Sequence, residues 1–208
     1  ILPEATSIYF IKSGGNIAPE DGPIYIYTKA FKRLQKKLTD ANALLGYHAS
    51  YEAGQNPNLI QKEIEILQKI VGQKINFSRN HYLLSRDPSD YNELMNSGIT
   101  DDFTMGYADV AGFRLGTSHS VRWIDPRRTA VTSLTLHPLN IMDCSLLDAK
   151  YMALSMEAAI GYLIRLVNQI HEFDGEVCLL WHNTCLMPYR REARLYLELL
   201  KYLSTQKD

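Results

Sequence analysis

Residues 43–48 read Ala-Leu-Leu-Gly-Tyr-His, a short apolar run that ends directly on a histidine. Such a run, followed by polar residues, predicts a buried β-strand. Two other runs have the same form: residues 75–78, which lead into Arg79, and residues 176–181, which lead into His182. Helical periodicities separate these strands, so the sequence predicts an α/β fold with a mostly parallel sheet or barrel.

The helices are predicted from apolar residues that recur at intervals of three and four. The clearest helix begins at Asn56-Pro57, has Ile60, Ile64 and Leu67 on its buried face, and ends at Gly72. The other expected helices cover 27–40, 88–97 and 191–203, and a further helix is capped by Ser155. The other expected strands cover 5–11 and 134–142, with a long loop over 101–128 that has room for one strand. Pro138 limits the strand over 134–142 to an edge or a bulge.

Polar side chains follow three of the predicted strands. His48, the segment 79–82 and His182 each stand just after one of them. In parallel α/β folds, ligands bind at the carboxyl ends of the strands. We therefore expect these residues to meet at one face, and this rule alone predicts a functional site.

His48 and Glu52 are four residues apart. On one helical turn they would project to the same side and could share a metal ion. The alternative for His48 is a loop histidine with a satisfied hydrogen bond.

His182 stands at the mouth of an apolar strand, which suits general acid or base chemistry. Its alternative is a surface-loop histidine.

The segment Ser78-Arg79-Asn80-His81-Tyr82 combines several functional groups. Arg79 could orient a carboxylate by a bidentate hydrogen bond, and His81 could bind a metal ion. Backbone N–H groups of such a turn could hold an oxyanion. The alternative is an arginine paired with a structural carboxylate. His137 and His171 are expected to be structural. Any of the loop carboxylates could line a cleft, although most of them are expected to be solvated: Asp101, Asp102, Asp109 and Asp125.

The composition excludes several classes of protein. The 208 residues include 22 Lys plus Arg and 23 Asp plus Glu, so the net charge is −1. This balance argues against binding to nucleic acid or a membrane surface through bulk charge. No apolar run approaches the roughly 18 residues of a membrane helix. The spacing of the three cysteines, Cys144, Cys178 and Cys185, is not that of a zinc motif, and a reducing compartment is favoured over a disulfide framework. One domain over 1–208 is the simplest expectation.

Three segments carry a resemblance to a known family: HASYE at 48–52, RNHY at 79–82 and LWH at 180–182. In this order they resemble the motifs of the polysaccharide deacetylase superfamily, of the nodulation-deacetylase and chitin-deacetylase type. The stretches GYHASYEAG, SRNHYL and GYADVAGFRLGT are similar to a divergent subgroup associated with surface-polysaccharide and O-antigen gene clusters. The resemblance covers residues 5–182.

The resemblance implies a distorted (β/α) barrel and the metal-dependent removal of N-acetyl groups from a saccharide or polysaccharide. The cofactor would be a divalent metal ion, usually zinc, which polarises the acetyl carbonyl and activates water, with an aspartate as general base. By this resemblance His48 is a metal ligand and Arg79 orients the base. The backbone N–H of Tyr82 helps to hold the oxyanion, and His182 protonates the departing amine.

The sequence departs from the family pattern in three ways. The aspartate pair at the end of the family's first strand is absent, so we expect a barrel without its first strand. Glu52 replaces the later ligand histidine, and His81 stands where the family has proline. We therefore expect a rearranged site in which His48, His81 and Glu52 bind the metal ion. The alternative is that the metal site has decayed. For the family's Asp-and-Trp motif, Trp123 and Asp125 are only nearby candidates.

Three functions remain open at the level of sequence. The leading hypothesis is a deacetylase-like hydrolase, and the second is a non-catalytic carbohydrate-binding or scaffold relative with the same fold. The third is a different metal-dependent hydrolase on the same barrel. The lack of a signal-peptide pattern slightly favours the cytoplasm, with an extracellular or periplasmic location as the alternative.

Overall fold

The structure is a computed structural model that describes residues 5–86 and 88–205. The described chain forms two compact units, each built from separate segments of sequence. The sheet unit contains the described residues of 7–104 and 121–136. The helical unit contains residues 105–120 and 137–205, together with residues 5 and 6.

The sheet unit contains a six-stranded sheet. Its strands are β1 (Ile8–Lys12), β2 (Leu44–Ala49), β3 (Phe77–Asn80), β4 (Asp101–Asp102), β5 (Val121–Asp125) and β6 (Ala130–Leu136). They follow the order β1-β2-β3-β4-β6-β5, and every pair is parallel except the antiparallel β5–β6 hairpin. The register places His48 of β2 beside Arg79 of β3. This arrangement confirms the predicted parallel-rich α/β fold, while closure into a barrel and the absence of a first strand stay predictions.

Four helices accompany this sheet: α1 (Lys29–Asp40), α2 (Tyr51–Gln55), α3 (Asn58–Val71) and α4 (Ser89–Asn96). The predicted apolar face of α3 is confirmed, since Ile60, Ile64 and Leu67 are all buried. Gly72 ends this helix in the left-handed conformation, with φ of 73°, as its position predicts.

Gly46 allows the side chain of Phe10 to lie across β2. A Cβ atom at position 46 would stand 2.5 Å from the Phe10 ring. The same ring contacts the guanidinium of Arg79, whose Cζ lies 4.4 Å from the ring centroid. The absence of a side chain at Gly46 therefore permits the contact between Phe10 of β1 and Arg79, the penultimate residue of β3.

We expect Gly46→Ala to destabilise the protein by about 1–3 kcal/mol, because the new methyl group displaces the Phe10 ring from a packed position. Gly161→Ala is the matched control, since a Cβ there meets only the end of the Arg165 side chain at 3.5 Å. Urea unfolding followed by circular dichroism measures both changes. Equal midpoints for Gly46→Ala and the wild type would contradict the packing described for Phe10.

The helical unit combines a small parallel sheet with three helices. Its elements are β7 (Ile141–Met142), α5 (Asp143–Leu147), α6 (Met156–Glu172), β8 (Leu179–Leu180) and α7 (Arg191–Thr205). Ser155 caps α6 as predicted, since its hydroxyl accepts a hydrogen bond from the Ala158 N–H. The helices share a buried apolar cluster that includes Leu146, Leu163, Val167, Ile170 and Leu195. Among the described residues, no helix is both long enough and apolar enough to cross a membrane.

Several element boundaries differ from the predictions. The strand predicted over 134–142 is interrupted, with β6 ending at Leu136 and β7 beginning at Ile141. Pro138 lies in the interruption and has no N–H to donate to a sheet. The strand predicted over 176–181 contains only Leu179–Leu180. Residues 101–128 contain β4 and β5 instead of one strand. A single domain over 1–208 stays a prediction.

Candidate functional site

Two histidines face each other where β2 and β3 end. Nε2 of His48 lies 3.1 Å from Nδ1 of His81, and the rings meet edge to face with their centroids 5.0 Å apart. His48 is the penultimate residue of β2, and His81 begins the 3-10 turn His81–Leu83 directly after β3. The structure thus brings together two residues that the sequence predicts as metal ligands.

Backbone carbonyls hold the outer nitrogens of both rings. Nδ1 of His48 lies 2.8 Å from the carbonyl oxygen of Arg79, and Nε2 of His81 lies 3.0 Å from that of Glu20. A carbonyl oxygen only accepts, so each outer nitrogen carries a proton. In two neutral imidazoles the inner nitrogens then present their lone pairs to each other. A shared proton or a cation is needed to make this contact favourable.

A divalent metal ion fits this donor set. Two nitrogen ligands of a tetrahedral zinc ion stand about 3.3 Å apart, which is close to the separation of the inner nitrogens of His48 and His81. Metal-bound histidines also commonly donate their other ring N–H to a carbonyl or carboxylate, which fixes the ring orientation. The carbonyls of Arg79 and Glu20 provide this support.

Glu52, the third predicted ligand, accepts hydrogen bonds from Asn16. Its Oε2 lies 2.9 Å from the backbone nitrogen and 3.4 Å from Nδ2 of that residue. The helical turn that would align Glu52 with His48 is not formed, because β2 continues to Ala49 and α2 begins at Tyr51. Glu52 therefore attaches the loop after β1 to α2, and its role as a ligand stays a prediction.

Asp21, which the sequence analysis did not single out, anchors the loop after β1. Its side chain is buried, and its Oδ1 accepts the Tyr51 N–H at 2.7 Å. Its Oδ2 accepts the N–H groups of Ile17 and Glu52 at 3.1 and 3.2 Å. The ammonium of Lys12 lies 3.8 Å from Oδ1. Asp21 thus fixes the first turn of α2 relative to the end of β1.

The same loop reaches the histidine pair through Glu20. Its backbone carbonyl accepts the hydrogen bond from Nε2 of His81, so the loop sets the orientation of that ring. The acidic pair Glu20-Asp21 is followed by Gly22-Pro23, a turn signal soon after the first apolar run. Two adjacent acids at a strand-to-helix turn were the sequence signal that could have identified this segment.

Glu63 is a buried carboxylic acid beneath the end of β2. Its Oε2 accepts hydrogen bonds from the Tyr47 hydroxyl at 2.7 Å and the Ser50 N–H at 3.2 Å, and its Oε1 accepts one from the Ser50 hydroxyl. Burial raises the pKa of Glu63, although these hydrogen bonds act in the opposite direction. The Ser50 hydroxyl also accepts the Ala53 N–H at 2.9 Å, so Glu63 fixes the cap of α2.

Arg79, predicted to orient a carboxylate, is buried against aromatic rings. Its guanidinium lies over Phe10, and its Nε donates a hydrogen bond to the carbonyl of Phe103 at 3.2 Å. Its positive charge also acts on Asp102: burial raises the pKa of that carboxyl, and Arg79 is among the groups that lower it. The role of Arg79 in orienting a catalytic base stays a prediction.

The carboxylates of Asp102 and Asp125 are buried, which corrects the expectation that the loop carboxylates are mostly solvated. Asp102 accepts hydrogen bonds from the Ser78 hydroxyl at 2.7 Å and from the N–H and hydroxyl of Thr104 at 3.0 and 2.8 Å. Asp125 accepts the Arg127 N–H at 2.9 Å. Neighbouring donors thus compensate for the loss of solvent around Asp102. The second oxygen of Asp125, Oδ2, has no hydrogen bond within the described part of the chain, and the Arg128 guanidinium lies 3.4 Å from it.

Tyr82 lies beside the histidine pair in a backbone conformation that is rare for its residue type. Its φ is 56°, and that of Leu83 is 52°. The Tyr82 ring is 58% exposed, with its centroid 4.5 Å from that of His81 and 5.5 Å from that of Tyr51. Strained backbone often occurs at functional sites. The oxyanion role of the Tyr82 N–H stays a prediction.

His182 is paired with Asp143 in the helical unit. Its Nδ1 lies 2.9 Å from Oδ1 of Asp143, and its backbone N–H donates to Oδ2 at 2.5 Å. Asp143 is fully buried, whereas the His182 side chain is 47% exposed. Burial raises the pKa of Asp143, but the hydrogen bonds and charge of His182 outweigh it, so the pKa lies below its usual value.

The Asp143 carboxylate sets the tautomer of His182. Because it accepts the Nδ1 proton, the neutral imidazole carries its lone pair on Nε2. Asp143 directly follows the residues predicted as a strand over 134–142, so the strand-end rule that selected His182 could also have selected it. The convergence of His182 with His48 stays a prediction.

Two thiols lie close to Asp143. Within the described ranges, one group of three potential metal ligands has all its ligand atoms within 4.8 Å of one another. Its members are Asp143, Cys144 and His182. Burial and then the charge of Asp143 raise the pKa of Cys144 to about 12. The Cys185 thiol hydrogen-bonds the Asp143 carboxylate. The cysteine spacing did not predict a zinc site, because His182 lies far along the chain from the adjacent residues Asp143 and Cys144.

Comparison with known proteins gives a likeness of fold. No family model matches the sequence, and no curated protein matches it. One similar crystal structure is that of a candidate polysaccharide deacetylase from Mycobacterium smegmatis, at 16% identity and a TM-score of 0.58 over 86% of this chain. Another is a family 4 carbohydrate esterase from Streptomyces lividans in complex with acetate, at 11% identity and a TM-score of 0.48 over 97% of this chain and 88% of that one.

The chain spans 63% of the Mycobacterium smegmatis chain, which is less than two thirds of its length. At this level of identity the likeness concerns the fold. It agrees with the α/β architecture that the sequence predicts, while membership of the O-antigen-associated subgroup stays a prediction. The chain therefore has a mixed α/β fold with a parallel-rich sheet, similar to the fold of a candidate polysaccharide deacetylase.

Proposed function

We propose that the protein is a metal-dependent deacetylase-like hydrolase that removes N-acetyl groups from a sugar of a surface polysaccharide. The observation that carries this proposal is the approach of Nε2 of His48 to Nδ1 of His81, with both outer nitrogens held by carbonyls. The likeness of the fold to a candidate polysaccharide deacetylase supports it. The order of the three sequence segments is consistent with the same function.

His48 and His81 are the residues that would hold the metal ion, and zinc is the ion that we propose. Glu52 is retained as the proposed third ligand, which requires its carboxylate to exchange the hydrogen bonds with Asn16. When bound, such an ion polarises an acyl oxygen and lowers the pKa of a bound water. The carbonyls of Arg79 and Glu20 keep the two rings in the required orientation.

His182 is the proposed general acid. An amine leaves an amide easily only after it gains a proton, and the imidazolium form of His182 can give that proton from Nε2. Asp143 accepts the Nδ1–H hydrogen bond and stabilises the positive charge of the ring. Arg79 and the backbone N–H of Tyr82 retain their proposed roles in orienting the base and holding the oxyanion.

We expect His48→Ala and His81→Ala each to remove most metal binding by the histidine pair and to abolish acetate release from N-acetylglucosamine tetramer. The physical reason is that each substitution removes one of the two lone pairs that face each other. The measurements are metal content after dialysis and enzymatic detection of acetate, with and without a chelator. His171→Ala, at the exposed end of α6, is the control and should match the wild type. Acetate release that persists in chelator and in both variants would contradict the proposal.

A non-catalytic carbohydrate-binding relative is the second candidate function. The hydrogen bonds between Glu52 and Asn16 favour it, because they occupy a carboxylate that the rearranged metal site would need. Binding of the same tetramer that survives chelation and His182→Ala, without any acetate release, would support this alternative. Metal-dependent turnover would exclude it.

A further inference from the structure

We propose that Asp143, Cys144 and His182 form a binding site for a thiophilic divalent cation, with Zn²⁺ as the preferred ion. Their ligand atoms all lie within 4.8 Å of one another. Asp143 and Cys144 begin α5 directly after β7, and His182 follows β8, which is paired with β7. Two adjacent strand ends of the helical unit thus provide all three ligands.

The chemistry of the three donors suits zinc. Carboxylate, thiolate and imidazole are its usual protein ligands, and a thiolate favours zinc over magnesium or calcium. With Cys144 deprotonated and His182 neutral, the donor set carries two negative charges, which balance a divalent cation. Nδ1 of His182 and Oδ1 of Asp143 are 2.9 Å apart, compared with about 3.3 Å for two ligands of a tetrahedral zinc ion. A shift of a few tenths of an ångström would therefore admit the ion.

The surroundings allow an ion to enter. Asp143 is fully buried, but His182 is half-exposed and Cys144 is partly exposed, so the site has a side open to solvent. Arg190, whose guanidinium hydrogen-bonds the Cys185 thiol, is a positive charge near the site. Its Nε lies 3.2 Å from the Glu192 carboxylate, which offsets that charge. Tetrahedral zinc needs a fourth ligand, and water from the open side can supply it.

Binding of the ion changes where protons reside. The neutral His182 ring holds its proton on Nδ1, and coordination through Nδ1 requires that proton to move to Nε2. The Cys144 thiol releases its proton to solvent when the sulfur coordinates the ion. With the ion bound, Nε2 of His182 can donate a hydrogen bond but no longer has a lone pair.

The ion would consequently inhibit proton transfer by His182. This regulatory consequence rests on the proposed function, whereas the binding of the ion does not. A chain that needs one divalent ion for activity would then be inhibited when the same metal is in excess. Binding of the ion at Asp143 can be measured separately from inhibition. Only this site contains sulfur, so a signal from the thiolate reports its occupancy without an activity assay.

Titration of the full chain with Co²⁺ tests the site. A cobalt–thiolate bond gives a charge-transfer band in the near ultraviolet, which a site made of the His48 and His81 nitrogens does not produce. We expect the band in the wild type, its loss in Cys144→Ser, and its retention in Cys178→Ser, the control at a cysteine of the same intermediate exposure. His182→Ala should weaken Co²⁺ binding at the thiolate by about tenfold or more.

No band in the wild type, or a band that Cys144→Ser leaves unchanged, would overturn the proposal. Far-ultraviolet circular dichroism of each variant verifies that the chain is folded, and His182→Ala replaces an exposed side chain, so it provides a second variant. The readout does not involve acetate release. Failure of the cobalt band therefore leaves the proposed deacetylase function intact, and absence of deacetylation leaves the thiolate site intact.

Discussion

Replacement of His182 with alanine is expected to lower kcat for acetate release by about 10²- to 10⁴-fold, the usual contribution of a positioned general acid. The KM for the saccharide should change little, because the ring acts on the proton of the departing amine. The fold should tolerate the change, since the His182 side chain is half-exposed. Steady-state assays of acetate release on the wild type and the variant measure the effect.

Asp143→Asn provides an independent test of the same proton transfer. An asparagine can turn its amide N–H₂ toward Nδ1, which favours the wrong tautomer of His182 and should cost activity to a similar order. His119→Ala, an exposed histidine of the same unit, is the control and should retain wild-type kcat. If His182→Ala keeps more than about a tenth of the wild-type kcat, the role of general acid is contradicted.

The strand-end rule identified much of the candidate site from sequence. It selected His48, His81 and His182, because an apolar strand and its first polar residues are contiguous in the chain. In a parallel sheet, neighbouring carboxyl ends lie at one edge, which explains why His48 and His81 meet. The contact itself depends on the turn after β3 and on the carbonyl of Glu20, which no local pattern encodes.

The rule missed Asp143 for a physical reason. The pattern over 134–142 predicts one strand with a defect at Pro138, and a defect within a strand makes its carboxyl end a weak signal. In the structure β6 and β7 are separate strands in separate units. The Asp143–His182 pair joins segments 39 residues apart, and such a pairing follows from tertiary structure alone.

His48 and Glu52 do not share the helical turn that their spacing suggests. Four residues span one turn only in a continuous helix, whereas His48 lies in β2 and Glu52 in α2. The burial of Asp102 was missed for a related reason. Its donors, Ser78 and Thr104, come from β3 and from the segment after β4, so its own neighbours in sequence do not fully reveal its environment.

Glu63→Ala is expected to destabilise the protein by about 3 kcal/mol, the largest effect on stability that we predict. The substitution leaves the Tyr47 hydroxyl and both donors of Ser50 without the carboxylate that accepts their hydrogen bonds. It also opens a cavity beneath the end of β2. Urea unfolding measures the change, and a loss below about 1 kcal/mol would contradict this account of the network.

Glu63→Gln separates the charge of the side chain from its shape. Burial raises the pKa of Glu63 above its ordinary value of 4.5, so folding favours the protonated form. Its contribution to stability is thus fully present below the unfolded-state pKa and is lost as the pH rises through the folded-state pKa. Glutamine has no such titration and can still accept from Tyr47 while donating to Ser50. As the pH increases through this range, the free energy of unfolding of Glu63→Gln should therefore rise relative to that of the wild type. A difference between the two proteins that is independent of pH would show that Glu63 does not titrate in the fold.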